Sequence, residues 1–150
     1  MGRLMPRLKD ETILPYPITK VFDVAIGIEH YPAILPYVKS VRIFSQTDDH
    51  IKASLSLGLS MISFAYECEI RYKRNESISV TSTERLFKKF SSHCDFHSVE
   101  NDKTRLVYEL DCEFVNPIIE ILAAAVVPHQ TRATIGAFEN YLRKAQRHDQ

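Results

Sequence analysis

Three alternating side chains, His93, Asp95 and His97, are of residue types that bind metal ions. Their spacing of two places them on one face of a β-strand. The intervening Cys94 and Phe96 are apolar, so the three polar residues are expected on the outer, solvated face of the sheet. Side chains in a row on such a face rarely converge on one ion. We therefore predict no metal site.

The residues that could act as nucleophiles also indicate packing rather than catalysis. Cys68 and Cys112 lie at inward positions of alternating strand patterns, where a thiol behaves as a small apolar group. The sequence contains no nucleophile elbow, phosphate-binding loop, dinucleotide fingerprint or pair of inward carboxylates. We predict no catalytic residues.

Composition restricts the class of protein further. The 150 residues suffice for one domain, and 19 basic residues balance 19 acidic ones, so no excess of positive charge favours DNA. An odd number of cysteines, three, without close pairing argues against a disulfide framework. The longest apolar run, Ile118 to Val127, contains Glu120 and is far shorter than the ~20 residues of a membrane span. These features predict a cytoplasmic protein.

The elements that must position a site follow from periodicity. Val21, Phe22, Ala25 and Ile26 recur at helical spacing before Gly27 and predict a first helix. The segment YPAILPY, residues 31–37, then brackets a second short helix between two prolines, because proline suits a first helical turn and disfavours helix in the residue before it. Alternating patterns separated by turn residues predict seven strands, at 12–14, 40–45, 51–57, 62–72, 77–83, 90–99 and 106–114.

A long C-terminal helix is predicted from Asn116, an N-cap residue, and Pro117 at the first helical position. Its apolar residues recur at threes and fours, apart from one step of two turns, which predicts an inward face. That predicted face consists of Ile118, Ile121, Ala125, Pro128, Ile135, Phe138, Leu142 and Ala145.

This order of elements, together with the segments FDVAIGIEHYPAILPYVKSVRIF, SFAYECEIRY and IGAFENYLRKA, resembles the coenzyme Q-binding and ribosome-association toxin branch of the START-like superfamily. The resemblance covers Ile13 to Ala145. It implies an α+β helix-grip fold, START-like or Bet v 1-like, in which a curved antiparallel sheet of about seven strands wraps the final helix around an apolar cavity. Residues 1–150 would form one START-like lipid-binding domain with its core from about 11 to 146.

For a ligand in that cavity, we select residues at inward strand positions, on the predicted inward face of the last helix, and in the proline-bracketed segment. Two tyrosines are included because a buried hydroxyl needs a partner that a ligand carbonyl could supply. The predicted ligand-binding residues are Tyr31, Leu35, Pro36, Phe64, Tyr66, Tyr108, Leu110, Phe114, Ile121, Leu122 and Ala125.

The resemblance implies a non-enzymatic protein that binds an isoprenoid quinone, ubiquinone or a similar polyprenyl lipid, as its ligand rather than as a cofactor. It would support respiratory electron transport as a carrier or chaperone, with contact to the inner respiratory membrane at most peripheral. The resemblance leaves open a cyclase-type activity, as in other START-like proteins.

The alternative implied by the same branch is binding to the large ribosomal subunit, which would block subunit association. Zero net charge weakens this reading, because contact with RNA needs local positive charge. The basic residues that would supply it are Arg85, Lys88, Lys89, Arg143, Lys144 and Arg147.

Overall fold

The architecture is one antiparallel sheet against one long helix. A computed structural model describes residues 4–59 and 62–148, with the side chains of 59, 62 and 146–148 left aside. Besides a 3-10 turn at Ile28–His30, the elements are β1 (Leu8–Leu14), α1 (Ile18–Ile26), α2 (Tyr31–Ile34), β2 (Val38–Gln46), β3 (His50–Leu59), β4 (Ile62–Lys73), β5 (Ser77–Thr81), β6 (Phe87–Val99), β7 (Lys103–Phe114) and α3 (Pro117–His148).

The seven strands form a single curved sheet in the order β1-β7-β6-β5-β4-β3-β2. Every neighbouring pair is antiparallel, and register shifts interrupt the β2–β3 and β6–β7 ladders. Such irregularities bend a strand and increase its twist. The predicted helix-grip fold is confirmed, with two short helices after β1 and one long helix at the end.

The strand limits differ from the predicted ones mainly where no alternation of polarity marks the strand. β1 begins at Leu8 instead of residue 12, because its polar first half pairs with the middle of β7, Leu8 opposite Leu110. Hydrogen bonding to a neighbouring strand can extend a strand into a segment whose own sequence shows no alternation of polarity.

The proline-bracketed segment closes one side of the sheet. Pro32 lies in the first turn of α2, and Leu35, the residue before Pro36, is already extended at φ −113° and ψ 113°. This is the geometry that proline imposes on its predecessor. Ile34, Leu35 and Val38 form a small buried cluster against the second half of α3.

The predicted inward face of α3 is wrong in its first half. Ile118 and Ile121 are 69% and 58% exposed, and Ala125 is exposed, whereas Ala123 is fully buried. The first turns are apolar on all sides, so periodicity could not select a face. Capping and one polar contact fix the rotation: Asn116 Oδ1 accepts the N–H of Ile118 at 2.8 Å, and the buried Glu120 accepts the N–H of Phe114 at 3.4 Å.

No helix in the described part of the chain is both long and apolar enough to cross a bilayer.

Candidate ligand cavity

A cavity of about 290 Å³ lies between the concave face of the sheet and α3. Strands β3 to β7 supply half of the residues in its wall, and the others come from β1, α1, the 3-10 turn, α2, the segment from Leu35 to Val38 and α3 from Val127 onward. The residues that decide its chemistry are Tyr31, Leu35, Tyr37, Phe64, Tyr66, Cys68, Phe87, Phe90, Ser92, Cys94, Tyr108, Leu110, Cys112, Phe114, Gln130, Thr131, Thr134 and Phe138.

Seven of the eleven residues predicted to bind ligand line this cavity. All seven come from the strands or from the proline-bracketed segment, where the alternation of a strand or a rigid turn determines the direction of the side chain. They are Tyr31, Leu35, Phe64, Tyr66, Tyr108, Leu110 and Phe114.

The other four lie elsewhere. Ile121 and Ala125 are exposed because of the rotation of α3 described above. Leu122 packs against the core without reaching the cavity, and Pro36 lines a separate outer groove.

The α3 side of the cavity wall comes instead from the helix from Val127 onward, at Val127, Gln130, Thr131, Thr134, Ile135, Phe138 and Leu142. Three of these, Ile135, Phe138 and Leu142, belonged to the predicted apolar face and could have been selected. Gln130, Thr131 and Thr134 could not be selected in this way, because a pattern of apolar residues contains no information about polar ones.

Four tyrosines line the cavity, and their hydroxyls differ in hydrogen bonding. Tyr31 donates to the carbonyl of Ala25. Tyr37 bonds to Thr134 Oγ1, which itself donates to the carbonyl of Gln130 at 2.7 Å, so Tyr37 is the donor. Thus these two phenols are satisfied within the protein.

The hydroxyls of Tyr66 and Tyr108 have no hydrogen-bond partner among the described residues, although both rings line the cavity and Tyr66 is only 7% exposed. A buried hydroxyl normally finds a partner. The two phenols therefore present unused donors to whatever fills the cavity.

The cavity is electrically neutral. No Asp, Glu, His, Lys or Arg from the described residues contributes to its wall. Desolvation raises the pKa of Tyr31, Tyr66 and Tyr108 well above the usual value, so these phenols stay protonated at neutral pH. Burial also raises the pKa of Cys68 and Cys94 to about 12, which keeps their thiols uncharged and poorly nucleophilic.

One end of the cavity is a cluster of aromatic rings. Phe87 lies at its centre, with ring centroids 4.9 Å from Phe90, 5.1 Å from Phe114 and 5.3 Å from Tyr66. Phe64 completes the cluster at 5.6 Å from Phe114. Tilted and edge-to-face contacts of this kind leave ring faces that a further planar group can contact.

A thin wall separates the cavity from an outer groove between the start of β2 and α3. Leu35, Tyr37 and Gln130 line both spaces, and Pro36, Gly136 and Ala137 line the groove alone. The Tyr37–Thr134 hydrogen bond spans this wall.

The histidine row lies outside the cavity, on the outer face of the sheet as predicted. His93 bonds to Ser79 Oγ at 2.6 Å through Nδ1 and to Asp95 at 2.9 Å through Nε2. Within residues 4–59 and 62–148, no three His, Cys, Asp or Glu side chains come close enough to share a metal ion.

The raised thiol pKa values predict a loss of stability at alkaline pH. Below about pH 9 the folded and unfolded chains both hold the thiol protons. As the pH rises above that value, the unfolded chain releases protons that the folded chain keeps, so the free energy of unfolding falls by up to ~1.4 kcal/mol per pH unit for each thiol. Urea titrations from pH 7 to pH 10 under reducing conditions should show a shallower fall for Cys94→Ala than for the wild type. Equal slopes would contradict the assignment.

Comparisons with known proteins place this cavity in context. A family model described as polyketide cyclase / dehydrase and lipid transport matches residues 14–139. The persistence and stress-resistance toxin PasT and the ribosome association toxin RatA, both from Escherichia coli, are 25% and 24% identical over 138 residues, 92% of this chain and 87% of theirs. The mitochondrial coenzyme Q-binding protein COQ10 of Dictyostelium discoideum is 29% identical over 115 residues, 71% of this chain and 56% of its own.

Solved structures share the fold at lower identity. A START superfamily protein from Mycobacterium smegmatis superimposes with a TM-score of 0.76 at 17% identity, covering 93% of this chain and 98% of its own. The Zhui aromatase/cyclase of a Streptomyces species gives a TM-score of 0.80 at 14% identity, covering 93% and 94%.

Proposed function

Because the chain belongs to the polyketide cyclase/dehydrase and lipid transport family, we propose that it binds an isoprenoid quinone or a related polyprenyl lipid and carries it unchanged. The observation that carries the proposal is the pair of unpartnered hydroxyls, Tyr66 and Tyr108, in a neutral apolar cavity. Their best complement is a neutral ligand with carbonyl or ether oxygens, since two donors without a nearby charge favour acceptors over ions.

The rest of the cavity suits a planar ring with an apolar tail. The aromatic cluster around Phe87 offers ring faces to a quinone head group. At about 290 Å³, the cavity is at the lower end of the ~300–1,000 Å³ of small-molecule pockets. It would hold the head and the first part of a prenyl chain, and the remainder would leave past Leu35 and Tyr37 into the outer groove.

Carriage rather than catalysis is supported by the protonation state of the wall. A cyclase or dehydratase step needs a group that accepts or gives a proton near neutral pH. The buried phenols and thiols have pKa values raised far from that range, so they can donate hydrogen bonds but are poor bases. The relative named as a coenzyme Q-binding protein points in the same direction.

The first experiment extracts the purified protein with organic solvent and identifies retained lipids by mass spectrometry, then repeats the extraction after incubation with ubiquinone. We expect quinone near one per chain. A folded protein that retains none, even after incubation, would contradict the proposal.

A matched set of tyrosine variants tests the role of the hydroxyls. The double variant Tyr66→Phe/Tyr108→Phe removes two donors of ~1 kcal/mol each, so its affinity for ubiquinone should fall about tenfold or more. Tyr72→Phe is the control, because the Tyr72 hydroxyl donates to the Thr47 carbonyl at 2.8 Å and does not line the cavity. The affinity for a prenyl hydrocarbon without carbonyls should stay at the wild-type value in both the double variant and the control. Equal losses of ubiquinone in both variants would refute the assignment.

Ribosome association is the second candidate, because the relatives named toxins match 92% of the chain, more than the coenzyme Q-binding relative does. The proposed basic contact residues divide into two groups. The Leu86 carbonyl accepts the Val115 N–H, so Arg85 and Lys88 lie near the start of α3, whereas Arg143 lies near its end, about 40 Å along the helix at ~1.5 Å per residue. The Arg147 side chain is outside the described part. Salt-sensitive co-sedimentation with ribosomes would favour this candidate.

A further inference from the structure

The start of α3 carries an exposed apolar surface. Val115, Ile118 and Ile121 are 51%, 69% and 58% exposed, within seven consecutive residues. They are half of the six large apolar side chains that are exposed in the described part of the chain. Large apolar side chains that cluster at the surface indicate an interaction site, whereas scattered ones do not.

Positive charge lies directly beside these residues. The Val115 N–H donates to the Leu86 carbonyl at 3.0 Å, and Phe114 pairs with Phe87, so the β5–β6 connection runs alongside the start of α3. Arg85, on this connection, and Lys88, the second residue of β6, are exposed and form no ion pair with an acidic residue among the described residues. We refer to Val115, Ile118, Ile121, Arg85 and Lys88 together as the α3 tip.

Acidic side chains adjoin the α3 tip but make contacts of their own, and Glu84 accepts a backbone N–H of β4 at 3.3 Å. Glu120, the acidic residue within the apolar segment, is buried and accepts the Phe114 N–H at 3.4 Å. The nearby Asp111 is bonded to Lys89 at 2.7 Å. The surface therefore combines apolar side chains with unpaired cations.

We infer that the α3 tip docks the protein on the surface of an anionic lipid bilayer. Apolar side chains would enter the boundary between head groups and acyl chains, and Arg85 and Lys88 would contact lipid phosphates. RNA would bind the same cations, but its phosphate backbone makes no favourable contact with three exposed aliphatic side chains. A second copy of the chain would place its own Arg85 and Lys88 against those of the first, because a twofold interface brings the same surface together.

The α3 tip lies next to one end of the cavity, which would link docking to ligand uptake. This link depends on the proposed lipid binding. Phe87 and Phe114, in the aromatic end of the cavity, adjoin Leu86 and Val115 in the chain. A docked protein would hold the aromatic end of its cavity close to the membrane from which it takes its ligand.

The test is flotation of the ligand-free, full-length protein with vesicles of phosphatidylcholine alone or with phosphatidylglycerol added. Wild type should float with the anionic vesicles, and less so as salt is raised. Arg85→Gln/Lys88→Gln should weaken this binding about 25-fold, from ~1 kcal/mol or about fivefold per cation. Ile118→Ser/Ile121→Ser should lower it by about tenfold or more.

Two control variants carry single substitutions of the same types elsewhere. Ile13→Ser replaces an aliphatic residue that is 56% exposed on β1, and Lys103→Gln removes an exposed cation at the start of β7. Both should float like the wild type, and circular dichroism should show all four variants folded. Absence of flotation by the wild type, or equal losses in the controls, would overturn the inference.

Two other outcomes would also overturn it. A dimer that Ile118→Ser/Ile121→Ser converts to a monomer would assign the surface to a second copy, and ribosome pelleting lost in the same variants without flotation would assign it to RNA. Because the vesicles contain no quinone, flotation tests docking independently of ligand binding. A protein that floats but retains no quinone would contradict the proposed function and leave the docking inference standing.

Discussion

Ser92→Phe is expected to lower the quinone retained by the purified protein at least roughly a hundredfold while the protein stays folded. Ser92 lines the cavity opposite Leu110, and its side chain is small. A benzyl group there would occupy roughly a third of the free space and take the volume that the ring of the ligand needs. Because an existing void accommodates the larger side chain, the substitution should lower the affinity for the ligand and leave the stability of the fold unchanged.

Ser91→Phe is the matched control, because Ser91 lies on the opposite face of the same strand, paired with Asp111. Quantitative mass spectrometry of lipids from both variants, after incubation with equal amounts of ubiquinone, measures the effect. Full retention by a folded Ser92→Phe protein would mean that the ligand lies elsewhere.

Phe22→Ala should reduce the free energy of unfolding by about 3–5 kcal/mol, a large part of the stability of a small domain. Phe22 is fully buried in α1, with its ring centroid 5.2 Å from Phe96 and 6.2 Å from Tyr72. The Arg74 guanidinium lies 5.6 Å from the same ring. Removing the ring leaves a void that this close-packed end of the core cannot close.

Phe44→Ala serves as the comparison, because Phe44 on β2 is 48% exposed and its loss should change stability by less than ~1 kcal/mol. Urea unfolding of both variants, followed by circular dichroism, gives the two free energies. A Phe22→Ala protein that unfolds at nearly the wild-type midpoint would contradict the packing described above.

The alternation of β4 and β7 was sufficient to predict that Tyr66 and Tyr108 face inward, because side chains of a strand alternate strictly between its two faces. The same regularity placed His93 and Asp95 on the outer face. Leu35 followed from local chemistry, since the proline after it fixes an extended backbone. Such features depend on the chain within a few residues and can be read from it directly.

The rotation of α3 was beyond the sequence. Apolar residues surround its first turns, so Ile121 and Ala125 looked as suitable for the interior as Ala123. Contacts with other elements decided between them, among them the bond from the Phe114 N–H to Glu120.

What the sequence by itself determined is therefore the order of elements, the two faces of each strand and the rigid turn at residues 31–37. The tertiary structure alone decided that the sheet and α3 leave a space of about 290 Å³ between them, and that two hydroxyls in it have no partner within the described residues. The physical reason is that a cavity forms where residues far apart in the sequence fail to fill the space between them. The size of that space depends on the curvature of the sheet and the rotation of α3, and neither can be read from the periodicity of the sequence.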